Sequence, residues 1–412
     1  MIEFNSDVLD NGLKLLHHKD ATTKMVALNI LYKVGARNEV EGRTGFAHLF
    51  EHLMFGGSVN IPSFDESLNA AGGESNAWTS SDITNFYDII PSQNVETAFW
   101  LESDRLFQLA FSQQNLDTQK SVVMEEFKQR CLNVPYGDLH HIIADNAYKM
   151  HPYRWPVIGR KLEEIESVTL DAVKDFFYSH YGPDNIIMCV AGDISFEKAI
   201  DLTEKWFGPI PSRNIQIPVI PQEPMQSSPR IKRVVKDVPN DMIVKSYHMC
   251  SRGDKDYQTS DIISDLLANG NSARFFKNIL MKTEVFVDLD ATVGEQIDPG
   301  LLNIKGRLRD GVSYEEAEMV IKNELDDFMA NGASEYEITK FVNKWESTRC
   351  FENISYFEKA VKLCYYDLIS YADDINKEID KYRAITQDDV VRVARNLFRE
   401  DNCCTVYYGK NA

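Results

Sequence analysis

Apolar positions along the chain fall into two kinds of pattern. Short runs rich in aliphatic and aromatic residues occupy 25–34, 83–90, 242–249, 285–293 and 301–308, and such runs predict β-strands. Longer stretches with apolar residues three and four apart cover 93–107, 116–130, 257–268 and 314–329, and these predict amphipathic helices. Strands interspersed with helix pairs predict the α+β class, in which a mainly antiparallel sheet is covered by helices.

The pattern occurs twice. Residues 167–193 align without a gap on 384–410 at a constant offset of 217, and Thr169/Thr386, Asp171/Asp388, Asp184/Asp401, Asn185/Asn402 and Gly192/Gly409 are identical pairs. Each copy starts a helix with a Thr cap, places an acid in the first turn, and turns through Asp-Asn into a strand. Between the copies, prolines at 209, 211, 218, 221, 224 and 229 block both helix and central strand. The expected organisation is an N-terminal α+β domain over 1–210, a Pro-rich linker over 211–229 and a homologous C-terminal domain over 230–412. Two such domains suit a chain of 412 residues, which exceeds what one core usually organises.

Composition narrows the function classes. With 43% hydrophobic and 26% charged residues the chain reads as globular, and no run approaches the roughly 18–20 apolar residues of a membrane span. A formal net charge of −19 disfavours nucleic acid, whose binding relies on Lys and Arg at phosphates. The charge suits cationic peptides or simply solubility. Seven cysteines without a CxxC pair read as reduced, mostly buried thiols. The segment from Met1 to Asp7 has neither a basic nor an apolar leader region, so a cytoplasmic location is expected.

One segment carries chemistry. Thr44 is expected to cap a helix through Gly45-Phe46-Ala47-His48-Leu49-Phe50-Glu51-His52-Leu53-Met54-Phe55, ended by Gly56-Gly57. His48 and His52 lie one turn apart and point the same way, as two zinc ligands require. Glu51 flanks that face and can take a proton from a metal-activated water without being a ligand. Chance matches to HxxEH at this histidine content are expected in only a few per hundred chains, on the order of magnitude.

Zinc needs a third ligand. In the helix around 116–130 the apolar stripe is Leu116, Val123 and Phe127. At 100° per residue Glu125 falls opposite that stripe and Glu126 beside it, so helix phase selects Glu126.

These residues resemble the pitrilysin/insulinase family of inverted-motif zinc peptidases, particularly the short members near the mitochondrial processing peptidase subunits. The resemblance runs from Asp10-Asn11-Gly12-Leu13 through Gly35-Ala36-Arg37-Asn38-Glu39, the HxxEH helix and Gly72-Gly73-Glu74-Ser75-Asn76-Ala77 to Glu125-Glu126 and Pro135-Tyr136-Gly137. It implies a two-domain clamshell, one Zn2+ per chain, and a third ligand some seventy residues after the second His; Glu126 follows His52 by 74. It also implies that residues 73–79 form an edge strand that takes an extended peptide, with Asn76 and Ala77 as substrate-binding residues.

Two departures stand out. The supporting acid that the family places seven residues before the ligand Glu is Gln119 here. The Arg/Tyr pair that self-sufficient members carry in their second half aligns with Leu280 and Val287, and neither can donate a hydrogen bond to a peptide carbonyl or oxyanion. The expected function is therefore a zinc-dependent endopeptidase of unstructured peptides, the metal-bearing half of a heterodimer whose related subunit supplies the Arg/Tyr pair. A self-sufficient homodimer and a non-catalytic core subunit of a larger complex are the alternatives.

Overall fold

The computed structural model describes residues 1–410 and 412. It divides into two compact units, each built on one sheet. The first unit contains β1 (Asn5–Val8), β2 (Lys14–Lys19), β3 (Met25–Tyr32), β4 (Glu74–Thr79), β5 (Thr84–Pro91) and β6 (Ile186–Gly192), in the order β1-β2-β6-β3-β5-β4. Only β2 and β6 pair in parallel. The second unit contains β7 (Arg230–Val235), β8 (Met242–His248), β9 (Phe286–Val293), β10 (Leu301–Leu308) and β11 (Cys403–Gly409), in the order β7-β11-β8-β10-β9 with β7 and β11 parallel.

Mapping β2 through β6 onto β7 through β11 reproduces the strand order, including the single parallel pair. The duplication read from the 217-residue offset is thus a duplication of topology. The repeated cap is present in both copies: Thr169 accepts from the Ala172 N–H, and Thr386 from the Asp389 N–H, before helices Leu170–His180 and Gln387–Leu397.

Strand interiors follow from composition. β3 is buried along nearly its whole length, and its run Met25-Val26-Ala27-Leu28-Asn29-Ile30-Leu31-Tyr32 is that of a central strand covered on both faces. On one face Leu16, Leu31, Ile187, Cys189 and Ala191 pack against Ala360, Leu363 and Cys364 of the helix Tyr356–Ile369. On the other, the Tyr32 ring lies 5.6 Å from Phe86 and 4.8 Å from Tyr181, which in turn lies 4.5 Å from Phe50.

The units are not the two halves of the chain. The first comprises Met1–Gln129, Trp155–Ile220 and Arg349–Asn376, and the second comprises Arg130–Arg154, Pro221–Thr348 and Lys377–Ala412. A single cut at the prolines over 211–229 therefore misses two exchanged segments. The reason is packing. Ala360, Leu363 and Cys364 form an i, i+3, i+4 stripe that matches the first sheet. Leu139, Ile143 and Ala147 form an i, i+4, i+8 stripe that packs with Met242, Val244, Cys404 and Val406 of the second.

Residues 211–227 contain neither helix nor strand, yet they are fastened. The Ile215 N–H donates to Asp184 at 2.8 Å. The Glu223 carboxylate accepts from the Lys149, Met150 and His151 N–H groups at 2.8–3.0 Å, and Gln226 donates to the Cys403 carbonyl at 2.9 Å. Among the described residues, no helix is long and apolar enough to cross a membrane.

Candidate metal centre

The helix α1 (Phe46–Met54) buries Phe46, Ala47, Leu49, Phe50, Leu53 and Met54 and leaves His48, Glu51 and His52 on its remaining face. Its start differs from the expected Thr44 cap. Gly45 is the capping residue, in the left-handed conformation at φ +85°, and it has no side chain to offer. The first-turn donors go instead to Glu39, whose Oε2 accepts from the Gly45 N–H at 2.9 Å and whose Oε1 accepts from the Ala47 N–H at 2.8 Å. Burial pushes the Glu39 carboxyl up, against the pull of those N–H donors; one N–H aimed at each of its two oxygens is the arrangement of an ionised carboxylate. The Thr44 hydroxyl is engaged elsewhere, donating to Glu164 Oε2 at 2.6 Å. At its other end α1 stops as expected before Gly56-Gly57, with the Phe55 N–H on the His52 carbonyl and Gly57 at φ +89°.

The next helices along the chain are α2 (Phe64–Ala70), α3 (Val95–Phe107) and α4 (Gln113–Phe127). Ser112 caps α4 by accepting from the Asn115 N–H at 3.1 Å. Leu116, Val123 and Phe127 are its buried stripe, as the sequence predicts. Glu125 points outward to Lys128 at 2.5 Å, whereas Glu126 lies against α1. A five-residue π-helix, Lys128–Leu132, follows directly.

His48, His52 and Glu126 converge, with one ligand atom from each lying within 4.8 Å of the others. Both imidazole Nε2 atoms stand 3.6 Å from the same Glu126 Oε2. The two rings are 4.9 Å apart and nearly perpendicular, at 88°. A separation of 3.6 Å is too long for a hydrogen bond. It is close to the roughly 3.4 Å between ligands of a tetrahedral ion with bonds of about 2.0–2.1 Å. Side-chain exposures of 12%, 25% and 19% leave the group reachable from one side. Two imidazole nitrogens and one carboxylate match the donor set of zinc sites that keep a position open. The residues fit the metal.

Glu51 is not among the converging donors. Its Oε2 accepts from the Thr79 hydroxyl at 2.5 Å, which ties it to the last residue of β4. Thr79 had no sequence signal, because a threonine closing a strand is the ordinary outcome there.

Among the described residues β4 pairs only with β5, so its other side is a sheet edge. The Ser80 N–H to Ile83 carbonyl bond at 2.8 Å sets the phase of the hairpin. By alternation, Ser75, Ala77 and Thr79 direct their backbone groups away from β5. The Ala77 N–H donates to Asn76 Oδ1 at 2.8 Å. Leu280 and Val287 lie in the second unit. Leu280 packs against that unit's core at the end of the π-helix Phe275–Leu280, and Val287 is 48% exposed on β9.

Two family models match consecutive parts of this sequence: the insulinase (peptidase family M16) model over residues 14–160, and the peptidase M16 inactive-domain model over 167–344. The chain belongs to the insulinase family of peptidases. The first of these segments contains His48, Glu51, His52 and Glu126 together.

Within the family the chain is similar to the zinc protease PqqE of Helicobacter pylori, 28% identical and covering 98% of this chain and 92% of that protein. It is also similar to a probable mitochondrial-processing peptidase subunit beta of Arabidopsis thaliana, 22% identical over 91% of this chain and 70% of the relative. A solved protease from Helicobacter pylori superposes with a TM-score of 0.93 at 27% identity, over 99% of this chain and 100% of that one. Pitrilysin shares the fold, with a TM-score of 0.78 at 17% identity; this chain is matched over 99% of its length and spans 45% of pitrilysin.

Proposed function

We propose that this chain is a zinc-dependent endopeptidase acting on unstructured peptides, with zinc on His48, His52 and Glu126 and with Glu51 as general base and then general acid. The observation that carries this reading is the convergence of two imidazole nitrogens on one carboxylate, with Glu51 held beside them by Thr79. The names of the zinc-protease relatives support it.

Zinc held there would lower the pKa of a bound water and polarise the scissile carbonyl. Glu51 takes a proton from the attacking water and returns it to the departing amide nitrogen, so no net proton is gained or lost. The Thr79 hydroxyl, donating to Glu51 Oε2, fixes the orientation of that carboxylate. The β4 edge aligns the peptide as an added strand, with the carbonyl of the peptide replacing Asn76 Oδ1 on the Ala77 N–H.

Cleavage is tested by following new peptide termini when the zinc-loaded chain meets a mixture of unstructured peptides. No new termini, with or without a related subunit, would favour the core-subunit alternative. The edge has its own test. Ala77→Pro removes one outward N–H and leaves the β4–β5 ladder intact, since proline is tolerated where the N–H faces away from the sheet. The expected result is a roughly five- to tenfold rise in KM with zinc content and Tm unchanged. An unaltered KM would mean that the edge is not used.

The proposal includes a partner. Leu280 and Val287 lack hydrogen-bond donors, and this chain spans 45% of pitrilysin. A related subunit carrying an Arg/Tyr pair would complete the site. Native mass spectrometry separates the cases: a homodimer that cuts peptides unaided would replace the two-chain reading.

A further inference from the structure

The start of α1 is built around a buried carboxylate that the chemistry above does not use. Gly45 cannot carry a capping side chain. Its φ is +85°, and an added Cβ would lie 3.1 Å from both the Gly159 Cα and the Ile158 carbonyl oxygen. Thr44 cannot substitute, because its hydroxyl donates to Glu164 and accepts from the Arg160 N–H at 2.7 Å. The first turn therefore depends on Glu39, only 6% exposed, which spends one oxygen on Gly45 and the other on Ala47. Ala47 precedes the first proposed ligand by one residue.

Glu39 closes a short 3-10 turn, Ala36–Asn38, that is fastened to the β4–β5 hairpin. The Ala36 N–H donates to the Ser80 carbonyl at 3.2 Å and the Arg37 N–H to the Ser81 carbonyl at 2.8 Å. Arg37 also pairs with Asp82 at 3.1 Å, and Trp155 Nε1 donates to the Ala36 carbonyl at 2.9 Å. The segment over 35–39 thus grips the hairpin turn with its backbone and the metal helix with its one carboxylate. Thr79 immediately precedes that turn, and Glu51 sits on that helix.

We infer that Glu39 is a positioning residue: it sets α1 against the β4–β5 hairpin, fixing the azimuth of His48 and His52 and the reach of Glu51 to Thr79. An ordinary Ser or Asp cap would satisfy a first-turn N–H such as that of Ala47 locally but would not couple the helix to the edge strand. This inference rests on the zinc-peptidase reading for its consequence, though not for its geometry.

The test is Glu39→Gln, which keeps the shape but places an NH2 group against one of two N–H donors. Asp389→Asn, in the capping box of Gln387–Leu397, serves as a control cap away from the metal site. Zinc affinity is read by competition with a chromophoric chelator, and amide hydrogen exchange is read on the metal-free proteins. Glu39→Gln is expected to weaken zinc by about 10–100-fold, the usual effect of losing a group that orients ligands. It should also speed exchange in α1 and in the Ser80–Asp82 turn together. Asp389→Asn should leave both readouts unchanged.

Zinc affinity within about twofold of wild type, or faster exchange confined to the first turn of α1, would reduce Glu39 to a local cap and overturn the inference. If wild type binds no zinc, the zinc-peptidase reading fails, and the paired exchange of helix and hairpin still decides the role of Glu39. Should Glu39→Gln not fold, Glu39→Asp, with the same charge and shorter reach, is read in the same way.

Discussion

Glu51→Gln is expected to hold zinc within about twofold of wild type while losing roughly 10²–10⁴-fold in kcat/KM. Glutamine has the same length as glutamate, and its carbonyl oxygen can keep the bond from the Thr79 hydroxyl. What it lacks is a site for the proton of the attacking water. Because Glu51 stands outside the three converging donors, its loss should not disturb them. The loss should fall on kcat and leave KM nearly unchanged, since the proposed mechanism has Glu51 act on the reacting water and not on peptide held at the edge strand. Loss of zinc in this variant would make Glu51 a ligand. Retained turnover would mean that another group moves the proton.

The largest expected stability effect lies beneath the end of α1. Arg105, 2% exposed, is held between Phe64 and Phe86, its guanidinium carbon 4.4 and 4.3 Å from their ring centres. It forks onto Glu102 of its own helix, Nε donating to Oε2 at 2.8 Å and the second contact running from an Nη to Oε1. Asp88 is fully buried nearby, and burial, followed by the neighbouring Glu102, pushes its carboxyl well above the usual range. Phe55, just after α1, lies 5.8 Å from Phe86 and 5.6 Å from the Arg105 guanidinium.

Arg105→Ala removes the only cation of this cluster among the contacts described, leaves two buried acids and opens the aromatic stack. The expected cost is about 3–5 kcal/mol, the range for breaking a buried ion pair by deleting one partner. It is measured as a lower urea midpoint for the first unit. Arg383→Ala should change stability by at most about 1 kcal/mol, since Arg383 and Glu346 form a pair whose side chains are 52% and 41% exposed. An unchanged midpoint in Arg105→Ala would show that the acids relax by sharing a proton once the guanidinium is gone.

What could be read from the sequence was local. His48 and His52 are one turn apart whatever surrounds them, and the phase of Leu116, Val123 and Phe127 was enough to turn Glu126 inward and Glu125 outward. The strands over 25–32, 84–91, 242–248 and 301–308 followed from apolar runs, and the repeated Thr cap and Asp-Asn turn carried the duplication. What could not be read depends on groups distant in sequence. Thr44 looked like a cap because cap preference is a local rule, yet close approach to Gly159 makes Gly45 the capping residue. Glu39 then supplies the acceptors from six residues upstream of it. The exchange of the segments Arg130–Arg154 and Arg349–Asn376 between units is likewise a choice between two sheets with similar apolar faces, and helix periodicity does not distinguish them.

The zinc content of the purified chain tests the central claim most directly, measured on wild type and Glu126→Ala after removal of loosely held metal. The account predicts about one zinc per wild-type chain and a steep loss in Glu126→Ala, because two histidines alone leave a three-ligand site incomplete. Less than about a tenth of an equivalent in wild type, with no peptide cleavage after zinc is restored, would contradict it.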